Sequence, residues 1–155
     1  MRIGYGYDVH RLKAGRDCIL CGVRVPADAG PDGHSDADVP AHALADAILG
    51  AAALGDIGAH FPDTDERWRG ADSMELLRAV WGMAAGLGYT LGNADVTIVL
   101  QRPRLAPYIA AMRERVAEAL DTRTDRVNVK ATTEEGLGFT GEGLGIAASA
   151  VVLLE

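Results

Sequence analysis

The sequence lacks the features that mark several large classes of protein. Only 5% of its 155 residues are aromatic, 2 are cysteines, and 15 Lys and Arg stand against 22 Asp and Glu. The formal net charge of −7 argues against a nucleic-acid partner, because phosphate backbones are bound by clustered basic residues. An anionic small molecule would therefore have to be held by local groups.

Long apolar runs are also missing. The longest run, residues 41–54, is interrupted by His42 and Asp46 and falls short of the roughly 20 residues that a membrane span needs. Residues 1–10 lack the basic-then-apolar layout of a secretory signal. We therefore expect a cytoplasmic protein with no membrane partner.

The cysteines form a single C-x-x-C pair, Cys18 and Cys21. No second Cys or His pair follows at the spacing of a zinc ribbon, and the surrounding residues have the composition of a strand and a turn. Two ordinary reduced thiols fit this pattern better than a redox or zinc role.

The apolar and polar patterns predict one domain, residues 1–155, in which strands alternate with helices. Strands are predicted at 1–10, 89–100, 126–133 and 146–154, with a hairpin at 18–25. Helices are predicted at 40–54, 72–87 and 102–121. The segments 26–39, 55–71 and 134–145 are predicted loops. The fold class is α/β of the α+β type, a mixed sheet with helices packed on one face.

A candidate metal site begins in the first strand. Because successive strand residues point to opposite faces, Asp8 and His10 project from the same side. His42 lies in the first turn of the next helix, and one carboxylate with two imidazoles suits Zn²⁺ with an open fourth position. Asp46, four residues after His42, could accept the other ring N–H of that histidine.

Some of these residues also have an explanation that involves no ligand. The D-x-H pattern of Asp8 and His10 is short and common. In the predicted loop 26–39, Asp28 and Asp32 are explained well by the preference of Asp for turns and helix N-termini. It accounts less well for His34 and Ser35, which stand together before an apolar helix where a phosphate could bind.

Several segments together resemble the 2-C-methyl-D-erythritol 2,4-cyclodiphosphate synthase family. They are "RIGYGYDVH", "HSDADV", "GAAALGDIGAHFPDTD", "GADS", "GYTLGNADVTI", "VNVKATT" and "GFTGEG", in order from Met1 to about Leu154. No single segment is specific, but their shared order and spacing are.

The resemblance implies a homotrimer with a shared central core and active sites between subunits. It implies that 4-diphosphocytidyl-2-C-methyl-D-erythritol 2-phosphate is cyclised with release of CMP. It assigns Zn²⁺ to Asp8, His10 and His42, and a second ion, Mg²⁺ or Mn²⁺, to Glu135. His34 and Thr133 would stabilise the transition state.

The resemblance also implies two groups of substrate-binding residues. The methylerythritol and ribose side, together with the metal ligands, comprises Asp8, Val9, His10, His34, Ser35, Asp56, Ile57, Gly58, Phe61, Pro62, Asp63, Thr64 and Asp65. The second group comprises the cytidine-side residues Leu100, Gln101, Arg102, Pro103, Arg104, Leu105, Ala106, Ala131, Thr132 and Thr133, together with the further substrate-binding residues Glu134, Glu135 and Phe139.

Two positions depart from the family pattern. Glu142 and Leu144 stand where familiar members carry arginine and glutamate near the trimer axis. Three Glu142 side chains would repel a diphosphate, so we expect no isoprenoid diphosphate to bind there in the manner of those members.

Two other functions remain compatible with the residues themselves. One is a zinc-dependent hydrolase of nucleotide diphosphates that uses water as its nucleophile. The other is a non-catalytic trimeric module that binds a metal or an isoprenoid.

For Lys130, which alternates outward on its strand, the role of a solvated or structural cation is favoured over a phosphate contact.

Overall fold

The centre of the molecule is one mixed sheet of five strands. The computed structural model describes residues 1–155. The strands are β1 (Arg2–Ala14), β4 (Ala29–Pro31), β5 (Leu91–Val99), β6 (Val127–Thr132) and β7 (Gly145–Leu154), while β2 (Cys18–Leu20) and β3 (Val23–Val25) form a separate hairpin. The sheet order is β4-β1-β7-β5-β6, and only the β5–β6 pair is parallel.

The helices cover one face of this sheet. They are α1 (Val39–Ala52), α2 (Ile57–His60), α3 (Ser73–Gly86), α4 (Ile109–Ala119) and α5 (Gly138–Gly141). α1 packs on β1 and β7, α4 packs on β6, and α3 contacts both α1 and α4. The predicted fold class, a mixed α+β sheet with helices on one face, is confirmed.

Short elements were missed in the predicted loops. β4 lies within 26–39 and pairs with the end of β1, with Leu12 opposite Pro31. α2 and a 3₁₀ turn at Glu66–Trp68 lie within 55–71, and α5 lies within 134–145. Elements of three or four residues show no hydrophobic period, and β4 exists only because a distant strand supplies its hydrogen bonds.

The start of one helix and the end of one strand also differ from the sequence pattern. α4 begins at Ile109 after a 3₁₀ turn at Ala106–Tyr108, later than the predicted start at 102. Ala131 is exposed at the end of β6, although Val127 and Val129, at the preceding alternate positions, are buried.

Glycines in β1 bring α1 unusually close to the sheet. A Cβ atom added at Gly4 would lie 1.8 Å from the Ala47 carbonyl oxygen, and one at Gly6 would lie 1.9 Å from that of Ala43. No side chain fits in that space, so the helix rests directly on the strand backbone. This contact holds Asp8 beside the first turns of α1.

The opposite face of the sheet is uncovered in the single chain. On β1 it exposes Ile3, Tyr5, Tyr7 and Val9. On β5 it carries Asp95, Thr97 and Val99, which are half-buried. The outward face is therefore apolar along β1 and more polar along β5.

The remaining sequence expectations concern the cysteines and the membrane. Cys18 and Cys21 are free thiols in the core, and burial raises the pKa of Cys18 to about 11, which disfavours its reactive thiolate. Among the helices, none has both the length and the apolar character that crossing a membrane requires.

Candidate active site

The three predicted metal ligands converge where β1 meets α1. Asp8, His10 and His42 each place one ligand atom so that all three atoms lie within 4.8 Å of one another. Asp8 Oδ2 is 3.1 Å from His10 Nδ1 and 3.3 Å from His42 Nδ1. The two-residue strand period and the close approach of α1 therefore combine to build the cluster.

The cluster has the chemistry of a cation site. Asp8 Oδ2 and His10 Nδ1 are buried without a hydrogen-bond partner, since their 3.1 Å contact lacks hydrogen-bond geometry. Buried polar atoms are rarely left without partners, and a bound cation would coordinate both. One carboxylate and two imidazoles form a possible metal-binding site, and this ligand set fits zinc.

Charge within the cluster shifts two pKa values. Burial by itself would raise the pKa of Asp8, but the adjacent His10 and His42 imidazoles outweigh it and lower the value to about 2. Burial opposes protonation of His42, but contact with the Asp8 carboxylate outweighs it, and the pKa of His42 lies above its usual value. The free cluster therefore stabilises a negative Asp8 beside positive charge.

The start of α1 fixes the position of His42. Asp38 is the N-cap, and its Oδ1 accepts from the amide of Ala41 at 3.2 Å. The same carboxylate accepts from the amides of Cys21 at 2.8 Å and Gly22 at 2.7 Å, in the turn of the hairpin. Asp38 is fully buried, so this one side chain ties the hairpin to the helix that carries His42.

The second nitrogen of His42 contacts Ser73, and the predicted Asp46 contact is absent. His42 Nε2 lies 2.8 Å from Ser73 Oγ and 3.3 Å from Ser35 Oγ. Asp46 instead accepts from the backbone amide of Ile57 at 2.7 Å. The spacing of four residues places Asp46 on the same helix face as His42, but its carboxylate accepts a hydrogen bond from the amide at the start of α2.

A cavity of about 420 Å³ opens beside the cluster. It is lined by nine of the predicted site residues, His10, His34, Ser35, His42, Ile57, Gly58, Phe61, Pro62 and Asp63, and also by Gly33, Trp68 and Leu76. The lining combines the imidazoles of His10, His34 and His42 with apolar side chains such as Ile57 and Phe61. Such a cavity suits a small polyol that carries a phosphate.

The loop after α2 is fastened to the segment that carries His34. His34 Nε2 lies 3.3 Å from the carbonyl oxygen of Asp65, and the Gly70 amide donates to the His34 carbonyl at 2.8 Å. The Asp65 carboxylate is bound by Arg67, and Asp56 is the N-cap of α2. Asp56, Thr64 and Asp65 do not line this cavity, although they were predicted to bind substrate.

Most of the predicted cytidine-side residues lie around a different, larger cavity or beside it. A cavity of about 1420 Å³ is lined by Gln101, Arg102, Pro103, Arg104, Thr133 and Glu135, among others. Leu100 and Leu105 are buried, while Ala106, Ala131, Thr132 and Glu134 are exposed. Phe139 and Val9 line a third cavity, of about 320 Å³, next to His10.

Within one chain the metal cluster and Thr133 are separated by the sheet. Val9 is opposite Ala147, which is opposite Val99, which is opposite Thr132. Three strand spacings of 4.7–4.9 Å put the two ends of this row about 14 Å apart. The structure therefore brings together the first predicted group of residues but leaves the second group apart from it.

Lys130 has a partner on the outward face. Its Nζ lies 2.5 Å from Asp95 Oδ2, and Asn128 donates to Asp95 Oδ1 at 2.9 Å. This contact lowers the pKa of Asp95. The favoured interpretation of Lys130 as a structural cation agrees with this ion pair.

Sequence reasoning missed Ser73, Trp68 and Leu76. Leu76 and Trp68 line the smaller cavity, and Trp68 packs edge-on against Phe61 with ring centroids 5.0 Å apart. Ser73 lies in the quoted "GADS" segment, directly after the N-cap Asp72, but nothing in its spacing relates it to His42. These residues could be found only from the fold.

Comparison with known proteins agrees with this geometry. The YgbB family profile matches residues 1–155. The chain is 63% identical to the 2-C-methyl-D-erythritol 2,4-cyclodiphosphate synthase of Trichlorobacter lovleyi, covering 99% of this chain and 98% of that one. It is 64% identical to the protein of the same name from Geobacter metallireducens, covering 100% of this chain and 99% of that one.

Solved structures show the same fold. A 2C-methyl-D-erythritol-2,4-cyclodiphosphate synthase in a CDP-bound form superposes with a TM-score of 0.91 at 42% identity, covering 99% of this chain and all of that one. Fold, whole-length identity and the Asp–His–His cluster all point to one conclusion. The chain belongs to the YgbB family, together with proteins named 2-C-methyl-D-erythritol 2,4-cyclodiphosphate synthase.

Proposed function

We propose that this enzyme cyclises 4-diphosphocytidyl-2-C-methyl-D-erythritol 2-phosphate to 2-C-methyl-D-erythritol 2,4-cyclodiphosphate and releases CMP, in the non-mevalonate isoprenoid pathway. The observation that carries the proposal is the half-buried cluster of Asp8, His10 and His42 at the wall of a 420 Å³ cavity, in a chain of this family. In the reaction, a 2-phosphate oxygen bonds to the β-phosphorus while the bond from that phosphorus to the CMP oxygen breaks.

Two divalent ions are assigned to the site. Asp8, His10 and His42 would hold Zn²⁺, and Glu135 would hold Mg²⁺ or Mn²⁺ that accompanies the diphosphate. When bound, such ions supply Lewis-acid polarisation and neutralise phosphate charge. Such neutralisation suits a chain whose acidic residues outnumber its basic ones and whose ligand carries several negative charges.

The residues of the chain contribute mainly by positioning the substrate for phosphoryl transfer. His34 is held by the loop that contains Asp65, and it faces the same cavity as the metal cluster. We assign transition-state stabilisation to His34 and Thr133. Phosphoryl transfer asks mainly for alignment and electrostatic stabilisation, and the 2-phosphate is already an ionised nucleophile. No activated serine or cysteine is required.

The substrate would bridge two copies of the chain. Because about 14 Å separates the metal row from Thr132 within one sheet, residues Leu100–Ala106 and Ala131–Glu135 of one subunit would meet the metal cluster of its neighbour. The uncovered outward face, with Tyr5 and Tyr7 exposed, supplies an apolar surface for such packing. A homotrimer with a shared core and a site at each boundary satisfies both observations.

An assay of CMP release tests the proposal. Purified protein, substrate and Mg²⁺ should yield equimolar CMP and cyclic diphosphate, and activity lost to a chelator should return with zinc. A linear product with a free β-phosphate would show that a hydrolase is present. Zinc occupancy without any CMP release would favour a non-catalytic metal-binding module.

A further inference from the structure

We infer that Ser73 and Asp36 are positioning residues that fix the imidazole of His42, so that Nδ1 and not Nε2 is the nitrogen presented to the metal. The inference rests on the proposed metal site and extends it to residues on α3 and on the segment before α1. The direction of two hydrogen bonds decides it, the bond between Asp36 and Ser73 and the bond between Ser73 and His42.

The contact between His42 and Ser73 is short, and its serine is buried. Ser73 is 1% exposed, and its Oγ lies 2.8 Å from His42 Nε2. Ser35 Oγ lies 3.3 Å from the same nitrogen and already accepts from the Ala37 amide at 3.1 Å. Ser73 is therefore the main partner of Nε2.

Asp36 determines which way the Ser73 hydroxyl points. Asp36 Oδ2 accepts from the Ser73 backbone amide at 3.1 Å, and Asp36 Oδ1 accepts from the Ser73 hydroxyl. A carboxylate oxygen has no hydrogen to donate, and a serine hydroxyl has only one. Since that hydrogen points to Asp36, Ser73 Oγ can only accept from His42.

The consequence is a fixed tautomer for the neutral imidazole. His42 Nε2 must keep its hydrogen in order to donate to Ser73, so the lone pair of a neutral ring lies on Nδ1. Nδ1 is the nitrogen that faces Asp8 Oδ2, at 3.3 Å. A metal ligand whose other ring nitrogen is held in this way is pre-oriented and more basic.

Asp36 is itself held in place by backbone hydrogen bonds. The Asp36 amide donates to the Ala71 carbonyl at 3.1 Å, and Asp36 Oδ1 also accepts from the Asp38 amide at 3.2 Å. Asp36 thus joins the segment before α1 to the residues that open α3. The ring orientation of His42 is set by two elements that carry no metal ligand of their own.

Zinc affinity of Ser73→Ala, measured by competition with a chromogenic chelator, tests the inference. We expect a fall of about 10- to 100-fold, the range found when support of a metal-bound histidine is removed. Ser149→Ala, on the outward face of β7, is the matched control and should keep wild-type affinity. Asp46→Ala should have a smaller effect than Ser73→Ala, because Asp46 bonds to the Ile57 amide.

A second measurement needs no variant. In zinc-loaded wild-type protein, long-range ¹H–¹⁵N spectra should show His42 with Nε2 protonated and Nδ1 bound to the metal. Metal on Nε2, or an unchanged affinity in folded Ser73→Ala, would overturn this inference while leaving the zinc assignment intact. If the wild-type protein binds no zinc, the metal assignment of the proposed function fails as well. Should Ser73→Ala fail to fold, the spectra alone decide.

Discussion

The two groups of predicted site residues differ in how completely one chain builds them. The metal side is half-buried between β1 and α1, where His42 contacts Ser73 on α3 and His34 contacts the Asp65 carbonyl in the loop after α2. The cytidine side lines a cavity of about 1420 Å³ and includes the exposed residues Thr133 and Glu135. One chain therefore holds the metal ligands in place but leaves many of the predicted nucleotide-binding residues exposed to solvent.

The difference has a physical origin. Metal ligands must be fixed closely, so they need rigid elements and buried partners. Glu135, by contrast, lies in an exposed turn with φ of +55°, a left-handed conformation that is uncommon for a residue with a side chain. Its amide lies 3.3 Å from Thr133 Oγ1, which supports the turn locally. In the proposed assembly, a neighbouring subunit would complete this side.

The largest expected effect comes from removing a metal ligand. His42→Ala should lose zinc and at least about 1000-fold in CMP release, because Lewis-acid stabilisation is worth several kcal/mol and each 1.4 kcal/mol is about tenfold in rate. Metal analysis and a CMP assay on the same preparation measure both losses. His60→Ala is the control, since His60 contacts the Leu54 carbonyl outside the cluster. Full activity in folded His42→Ala would remove the metal from the mechanism.

The next largest effect distinguishes the metal side of the site from the cytidine side. Tyr5→Asp places a charge on the outward face, and burying an unpaired carboxylate costs about 3–5 kcal/mol, or more than about 100-fold in association. Sedimentation should show dissociation and CMP release should fall, while zinc affinity persists because its ligands belong to one chain. Leu87→Asp, an exposed apolar position outside the sheet, should remain assembled. Full activity as a monomer would refute the shared site.

A smaller effect is expected on the open side. Glu135→Gln should raise the Mg²⁺ concentration needed for half-maximal CMP release on the order of tenfold, equivalent to about 1.4 kcal/mol, and should leave zinc content unchanged. Glu142→Gln, which lines the same cavity, is the matched control. An unchanged Mg²⁺ requirement in Glu135→Gln would contradict the assignment of the second ion.

The smallest effect is on the pH dependence of zinc binding. The pKa of His42 lies above its usual value, so below that pKa zinc must displace a proton and its affinity should fall as pH falls, by up to about tenfold per unit. Asp8, with a pKa of about 2, stays ionised near neutral pH and adds no slope there. Calorimetry in buffers of different ionisation enthalpy should detect the released proton, and a pH-independent affinity would count against His42 as a ligand.

Local patterns predicted much of this protein. The alternation of β1 placed Asp8 and His10 on one side, and the start of α1 after Asp38 put His42 in a first turn. Periodicity located α1, α3 and the long strands within a few residues, although β4, α2 and α5 were missed. These successes share a cause, because strand and helix periods are properties of the local backbone.

The sequence by itself determined the fold class and the identity of the residues that form the metal cluster. Only the tertiary structure decided that His42 contacts Ser73 and not Asp46, that Asp36 sets the direction of that contact, and that Thr133 lies far from the cluster within one chain. Hydrogen-bond partners depend on which backbone and side-chain groups compete for each atom after packing. That competition involves residues tens of positions apart, and no local period encodes it.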